Sequence, residues 1–304
     1  MPNPLLPIFL TYKNIIYYMI NPLQKTINSK VSCVGVGIHS GQQASITIYP
    51  ADCDSGIIFC RTDVDIRQSI IKADYKNVTT TNLGTTIANE FGVKVSTIEH
   101  LMAAIWGCDI DNLYIEINGS EIPIMDGSSW PFVFLIECAG IVEQEKPRNF
   151  LEIIDNFEIY DDDKFIKISP SRELVIDLEI DFNHQKIKHQ SFSFNPNCNS
   201  FKNDICRART FGFKSDIEKM HKMGLGKGGS LNNAIIIDDE GIINDEGLRY
   251  NNELARHKTL DFIGDIFLCG YHIIGRFHTH KSGHSLNNKM LHQLFLDKTK
   301  WRII

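Results

Sequence analysis

The sequence predicts an α+β protein of two units of similar size. Strand and helix patterns occur in both halves, without the regular alternation of a doubly wound sheet. A polar, proline-bearing stretch at 144–148 interrupts them near the middle, which gives a first unit at 19–145 and a second at 146–304. The 304 residues suffice for about two domains, and 43% hydrophobic with 22% charged residues is the balance of a chain that buries a core. No convincing repeat relates the halves.

The first half opens on alternation. Val31, Val34, Val36 and Ile38, then Ala44, Ile46 and Ile48, read as two strands about the turn Ser40-Gly41-Gln42. His39 closes the first strand and is expected to be structural. Residues 56–61 read as a short strand, and the threonine-rich 78–87 as extended chain. Ser96 and Glu99 have the S-x-x-E spacing of a capping box and Gly107 supplies a stop, so Glu99 and His100 are expected in the first turn of a helix. Residues 112–118 alternate as a strand, 121–128 are turn-rich, and 130–140 read as a helix.

In the second half, strands are expected at 150–159, 165–168 and 174–182, with a short one at 192–194. A short helix at 216–223 and a strand at 234–237 flank the glycine-rich 224–230. That segment lacks Walker spacing and reads as a turn needing positive φ rather than an anion cradle. Residues 253–270 carry Leu254, Leu260, Phe262, Ile263, Ile266, Phe267 and Leu268 at helical spacing, with Gly270 at the end. A strand at 271–279, a loop at 281–284 and a helix at 286–296 follow.

A formal charge of −6 argues against a nucleic-acid partner. The eight cysteines form no CxxC and lie mostly in apolar runs, as free thiols in a reducing compartment do, here the cytoplasm. Residues 1–18 are apolar with Lys13 as the one charge, yet match neither a signal peptide nor a membrane span. They read as a non-essential extension upstream of Met19. No stable membrane insertion is expected, and the chain is expected to be a monomer.

The chemistry gathers at His257 and Asp261. Four apart on a helix, they project from one face one turn apart, and Asp265 continues that face. An imidazole and a carboxylate so placed can supply two ligands to Zn2+, although a polar outer helix face gives the same pattern. A catalytic zinc takes three protein ligands and keeps one position open. His100, His278 and His280 are all candidates for the third. Glu99, beside His100, is the carboxylate a water-activating site needs. His278 and His280, two apart on a strand, share a face and can chelate. The residues alone leave these options open.

Longer motifs carry a resemblance. Gly35-Val36-Gly37-Ile38-His39-Ser40-Gly41, Ser96-Thr97-Ile98-Glu99-His100-Leu101 and Glu121-Ile122-Pro123-Ile124-Met125-Asp126-Gly127-Ser128 occur in that order. Arg207-Ala208-Arg209-Thr210-Phe211-Gly212, Arg256-His257-Lys258 with Asp261 and Asp265, and Lys281-Ser282-Gly283-His284 follow. From about Gln24 to Trp301 the chain resembles the UDP-3-O-acyl-N-acetylglucosamine deacetylases, zinc amidases of lipid A biosynthesis. The resemblance implies two α+β domains, each a sheet with helices, the helices packed between the sheets at the domain interface. It implies zinc on His100, His257 and Asp261, with His278 and His280 as ordinary residues. It implies Glu99 as general base, His284 as proton donor held by Asp265, and the Thr210 hydroxyl at the oxyanion. Lys258 and Lys281 would lie near the substrate diphosphate, Phe182 and Asn183 would serve the uridine, and Phe211 would touch substrate. The segment 211–237 would form the acyl passage, where Ile217, Leu225 and Ile236 suit a hydrocarbon tail and Lys214 and Lys227 depart from it. The partner implied is a UDP-linked acyl-GlcNAc substrate. A zinc amidohydrolase for another acetamido compound, or a non-catalytic zinc protein, would use the same ligands.

Overall fold

The protein is described from a computed structural model, which covers residues 22–182, 184, 186–196 and 200–304. The extension 1–18, Asn183 and Cys198 lie outside the described residues. Alternating apolar residues build two main sheets. Val31–Val36, Gln43–Pro50, Leu113–Ile117, Ile57–Arg61 and Ile70–Lys72 form the first, in that order, with Ile57–Arg61 and Leu113–Ile117 parallel. The second has seven strands around His272–His280, which runs antiparallel to Lys164–Ser169 and parallel to Leu174–Ile180 and Phe150–Ile153. Along that central strand Phe277 and Thr279 are buried, while His278 and His280 alternate to the partly exposed side.

Five α-helices lie among the described residues: α1 (Glu99–Gly107), α2 (Trp130–Ala139), α3 (Lys214–Lys222), α4 (Glu253–Phe267) and α5 (His284–Leu296). Helix α2 packs on Val31–Val36 and on α1, α1 packs on α4, and α4 packs on Leu174–Ile180 and Gln190–Phe194. Helix α5 lies against α4. Helices α1, α2, α4 and α5 therefore stand between the sheets, as expected, while α3 lies on the small sheet of Phe211–Phe213 and Ile235–Asp238. One apolar cluster runs through all these layers, from Ile48 and Phe59 through Leu101 and Leu260 to Ile176 and Phe277.

Helices α1 and α4 meet backbone to backbone. A Cβ added to Gly264 would lie 2.1 Å from the Glu99 carbonyl oxygen. Only a residue without a side chain admits that approach, and it sets His100 of α1 opposite His257 and Asp261 of α4.

Four expectations need correction. The capping box does not form: Thr97 turns the chain at φ +56°, the Ser96 amide donates to Ser120, and the Glu99 carboxylate accepts from the Thr85 amide at 2.9 Å. The polar stretch at 144–148 is no open linker. Most of it belongs to the strand Ile141–Pro147, paired with Leu23–Ile27. Its polar side chains are matched: Gln144 accepts from Asn112 at 2.7 Å, and buried Arg148 donates to Asp111 at 2.7 Å and also pairs with Asp109. The strand expected at 150–159 breaks into Phe150–Ile153 and Phe157–Asp161, because the Asp155 carboxylate takes the Asn156 amide at 2.8 Å. The last helix begins at His284, inside the expected loop.

The glycine-rich segment is a turn, with Gly224 at φ +78° and Gly226 at +71°. It also docks. The Gly228 amide donates to Ile38 O at 3.0 Å, and a Cβ on Gly228 would lie 2.2 Å from Gly37 O.

Gly264→Ala raises intrinsic helix propensity by about 1 kcal/mol, yet the overpacking against Glu99 is expected to lower stability by about 1–3 kcal/mol. Urea unfolding measures it; a stabilised variant would refute the close contact.

Candidate active site

His100, His257 and Asp261 are buried, and one donor atom from each lies within 4.8 Å of the others. Asp261 Oδ1 is 3.3 Å from His257 Nε2 and 3.5 Å from His100 Nε2. Asp261 Oδ1 is also buried without a hydrogen-bond partner. An orphaned carboxylate oxygen facing two imidazole nitrogens is a donor set that fits a cation, so the residues present suit a metal. Of the three candidates for third ligand, His100 is brought to the pair; His278 and His280 pair with Glu179 on the seven-stranded sheet.

Neighbours orient two of the three candidate ligands. His257 Nδ1 is 3.0 Å from the Ala208 carbonyl, which fixes its N–H there and leaves Nε2 free for the site. Burial pushes the His257 pKa down to about 3, so the ring is neutral, as a ligand must be. Lys258 donates to Asp261 Oδ2 at 2.9 Å, leaving Oδ1 toward the histidines. Burial would raise the Asp261 carboxyl, but the Lys258 ammonium beside it holds it below the usual range.

Two proton-transfer groups flank the trio. Glu99 is buried, and that burial raises its carboxyl pKa. His284 opens α5, with Nε2 4.0 Å from Glu99 Oε1 and 3.9 Å from Asp261 Oδ2. Its Nδ1 sits 2.8 Å from Asp265 Oδ2. Burial opposes a charge on His284, but Asp265, Glu99 and Asp261 outweigh it and raise the pKa to about 9. Asp265 is itself held by Thr85 Oγ1 at 2.6 Å and Asn287 Nδ2 at 2.8 Å.

Thr210, Phe211, Lys258, Lys281 and His284 line a cavity of about 310 Å³ with the trio and Glu99. An adjoining cavity of about 360 Å³ shares Glu99, His100, Thr210 and Phe211 and continues along Ile38, Ile124, Phe213, Met220 and Met223. Ile217, Leu225 and Ile236 do not line it; Met220 of α3 and Met223, the residue that caps that helix, supply its apolar wall instead. Lys281 donates to Asp163 at 2.9 Å and lies 3.6 Å from Asp181. Phe182 stands edge-on to Phe211 and Phe213 and is not among the residues lining either cavity. A larger cleft of about 570 Å³ near Tyr75 and Tyr271 holds none of the predicted site residues.

Several supporting residues escaped the sequence reading. Glu121 accepts from the His39 and Ser40 amides at 2.8 Å and fixes the loop from Gly37. His39 bonds the Leu83 carbonyl at 3.0 Å, the structural role expected of it. Thr85 serves both Glu99 and Asp265. Buried Arg209 pairs with buried Glu253 at 2.9 Å, which locks the residue before Thr210 to the start of α4. Arg209 and Glu121 sit inside quoted motifs, which is a usable signal; Thr85 sits in a featureless threonine run.

A buried His-His-Asp trio beside a carboxyl and a further imidazole, in the cleft of an α+β fold, is a donor set of the kind metal-dependent hydrolases use. The comparisons agree and go further. The chain belongs to the family of UDP-3-O-acyl N-acetylglycosamine deacetylases, whose family model matches residues 24–296. It is 45% identical over 283 residues to the UDP-3-O-acyl-N-acetylglucosamine deacetylase of Hahella chejuensis, covering 92% of this chain and 93% of the relative. It is 45% identical over 284 residues to that of Haemophilus ducreyi, covering 92% of each. The enzyme of the same name from Nitrosococcus oceani is 45% identical over 283 residues, again with 92% of each covered.

Two outcomes follow from this geometry. Arg209→Leu leaves Glu253 buried and unpaired and is expected to cost about 3–5 kcal/mol in a denaturation experiment. His257→Ala removes one ligand of three, and elemental analysis is expected to find the bound metal lost or strongly depleted.

Proposed function

We propose that the chain hydrolyses the N-acetyl group of UDP-3-O-(3-hydroxyacyl)-N-acetylglucosamine, releasing acetate and the free glucosamine nucleotide, the committed step of lipid A biosynthesis. The metal is proposed to be zinc, held by His100, His257 and Asp261. The observation that carries the reading is the placement of a carboxyl and an imidazole, Glu99 and His284, 4.0 Å apart beside that trio. When bound, zinc polarises the acetyl carbonyl and lowers the pKa of water at its open position.

The chain's own residues do the remaining work. Glu99, whose carboxylate is held by the Thr85 amide through one oxygen, takes the proton of the attacking water with the other. The Thr210 backbone is pinned, its amide to Gly127 O and its carbonyl to Ile235 N, both at 2.8 Å; its hydroxyl is assigned to the developing oxyanion. His284 is charged at neutral pH, and with Nδ1 bound to Asp265 it keeps its Nε2 proton for the departing amine. Lys281 and Lys258 offer ammonium charge to the diphosphate. Phe182 and Asn183 remain assigned to the uridine. The cavity along Phe213, Met220 and Met223 is assigned to the acyl chain, which suits its apolar wall.

A reducing, cytoplasmic setting accords with the free thiols of the seven described cysteines. No helix among the described residues is long and apolar enough to cross a membrane.

The test compares the UDP-linked substrate with unrelated acetamido sugars. Turnover of the first alone is expected, and equal turnover of both would defeat the substrate assignment. Glu99→Gln is expected to keep its metal and lose roughly two to four orders of rate. Unchanged activity in that variant would leave the metal without a catalytic partner and favour a merely structural site.

A further inference from the structure

Outside the cleft, three histidines surround one glutamate on the far face of the seven-stranded sheet. Glu179 Oε1 is 3.4 Å from His278 Nε2. Glu179 Oε2 is 3.3 Å from His280 Nδ1 and 3.5 Å from His189 Nε2. Leu178 and Ile180, on either side of Glu179, point into the core, as do Phe277 and Thr279 beside the histidines. The four polar side chains therefore lie away from the helices that carry the catalytic trio.

From this arrangement we propose a second metal site, in which Glu179, His278, His280 and His189 take a divalent transition-metal ion. Two donors each about 2.0–2.1 Å from a tetrahedral ion stand about 3.3 Å apart. Oε2 of Glu179 faces both His280 and His189 and Oε1 faces His278, each near that spacing and each longer than a good charge-assisted hydrogen bond of about 2.7–2.9 Å. The carboxylate is thus spaced for shared coordination rather than for tight pairing. Imidazole-rich donors with a single carboxylate select zinc, nickel or copper over magnesium or calcium.

The frame is rigid where it needs to be. Glu179 and His280 are register partners on neighbouring parallel strands, and the His280 ring stacks on Phe165 at 5.5 Å. His278 and His189 are about half exposed and free to turn inward. They must, because the catalytic trio is the one set of three donors among the described residues already within 4.8 Å of one another. Nearby cations are engaged elsewhere. The Lys167 ammonium sits over the Phe165 ring at 4.9 Å, and Arg276 pairs with Asp177 at 2.7 Å.

The experiment measures zinc per chain by elemental analysis after full-length protein is equilibrated in micromolar free zinc. Wild type is expected to hold one equivalent more than the His278→Ala/His280→Ala variant, with the variant's deacetylase rate unchanged. Equal metal content in the two proteins overturns the proposal. Should the double variant lose all metal through misfolding, His189→Ala decides by the same comparison, since that exposed ring supports no core contact. Untagged wild type is also expected to bind a nickel-chelate resin and the double variant to pass through; equal passage of both counts against the site.

Discussion

Everything at this centre depends on how closely α1 and α4 approach. The ligands are divided between two helices from opposite halves of the chain, so none of the chemistry exists until those helices are in register. Gly264 makes the approach possible by presenting bare backbone to the carbonyl of Glu99. The same residue whose backbone forms that contact carries the proposed base, and the next one along is a proposed metal ligand. Packing and chemistry are therefore written into adjacent atoms, and an error of a few tenths of an ångström in one is felt in the other.

Around this contact the structure distributes protons by hydrogen bonding. Ala208 decides which nitrogen of His257 is bare. Thr85 steadies Glu99 with its amide and Asp265 with its hydroxyl, so the proposed base and the partner of the proposed acid share one brace. Asp265 in turn keeps the charge on His284. These are buried polar groups with partners, which is how a low-dielectric cleft holds two oppositely disposed titratable groups a few ångströms apart. Arg209 and Glu253 extend the scheme to the wall that carries Thr210.

The parts of this site governed by local periodicity were legible in the sequence. His257, Asp261 and Asp265 fall four apart on a helix whose apolar spacing is plain, and the structure has that helix from Glu253 to Phe267. The choice of His100 over His278 and His280 was not legible from residue chemistry, because it rests on a contact between segments more than 150 residues apart; the motif resemblance supplied it. The S-x-x-E pattern misled for a physical reason. A glutamate three residues after a serine caps a helix only if nothing better claims it, and here the Thr85 amide does. The polar stretch near 146 continues a strand where its composition suggested a break, since its glutamine and arginine find partners that composition cannot announce.

The docking of Gly228 on Gly37 has a consequence for how such a chain diversifies. That seam is main chain against main chain, with no room for a side chain on the Gly228 side. Helix α3, a few residues upstream, is moored by it whatever its own residues are. Met220 and Met223 can be exchanged for bulkier or slimmer neighbours while the mooring holds. The calibre of the cavity proposed for the acyl chain can thus change with those two side chains while the residues around Glu99 keep their places.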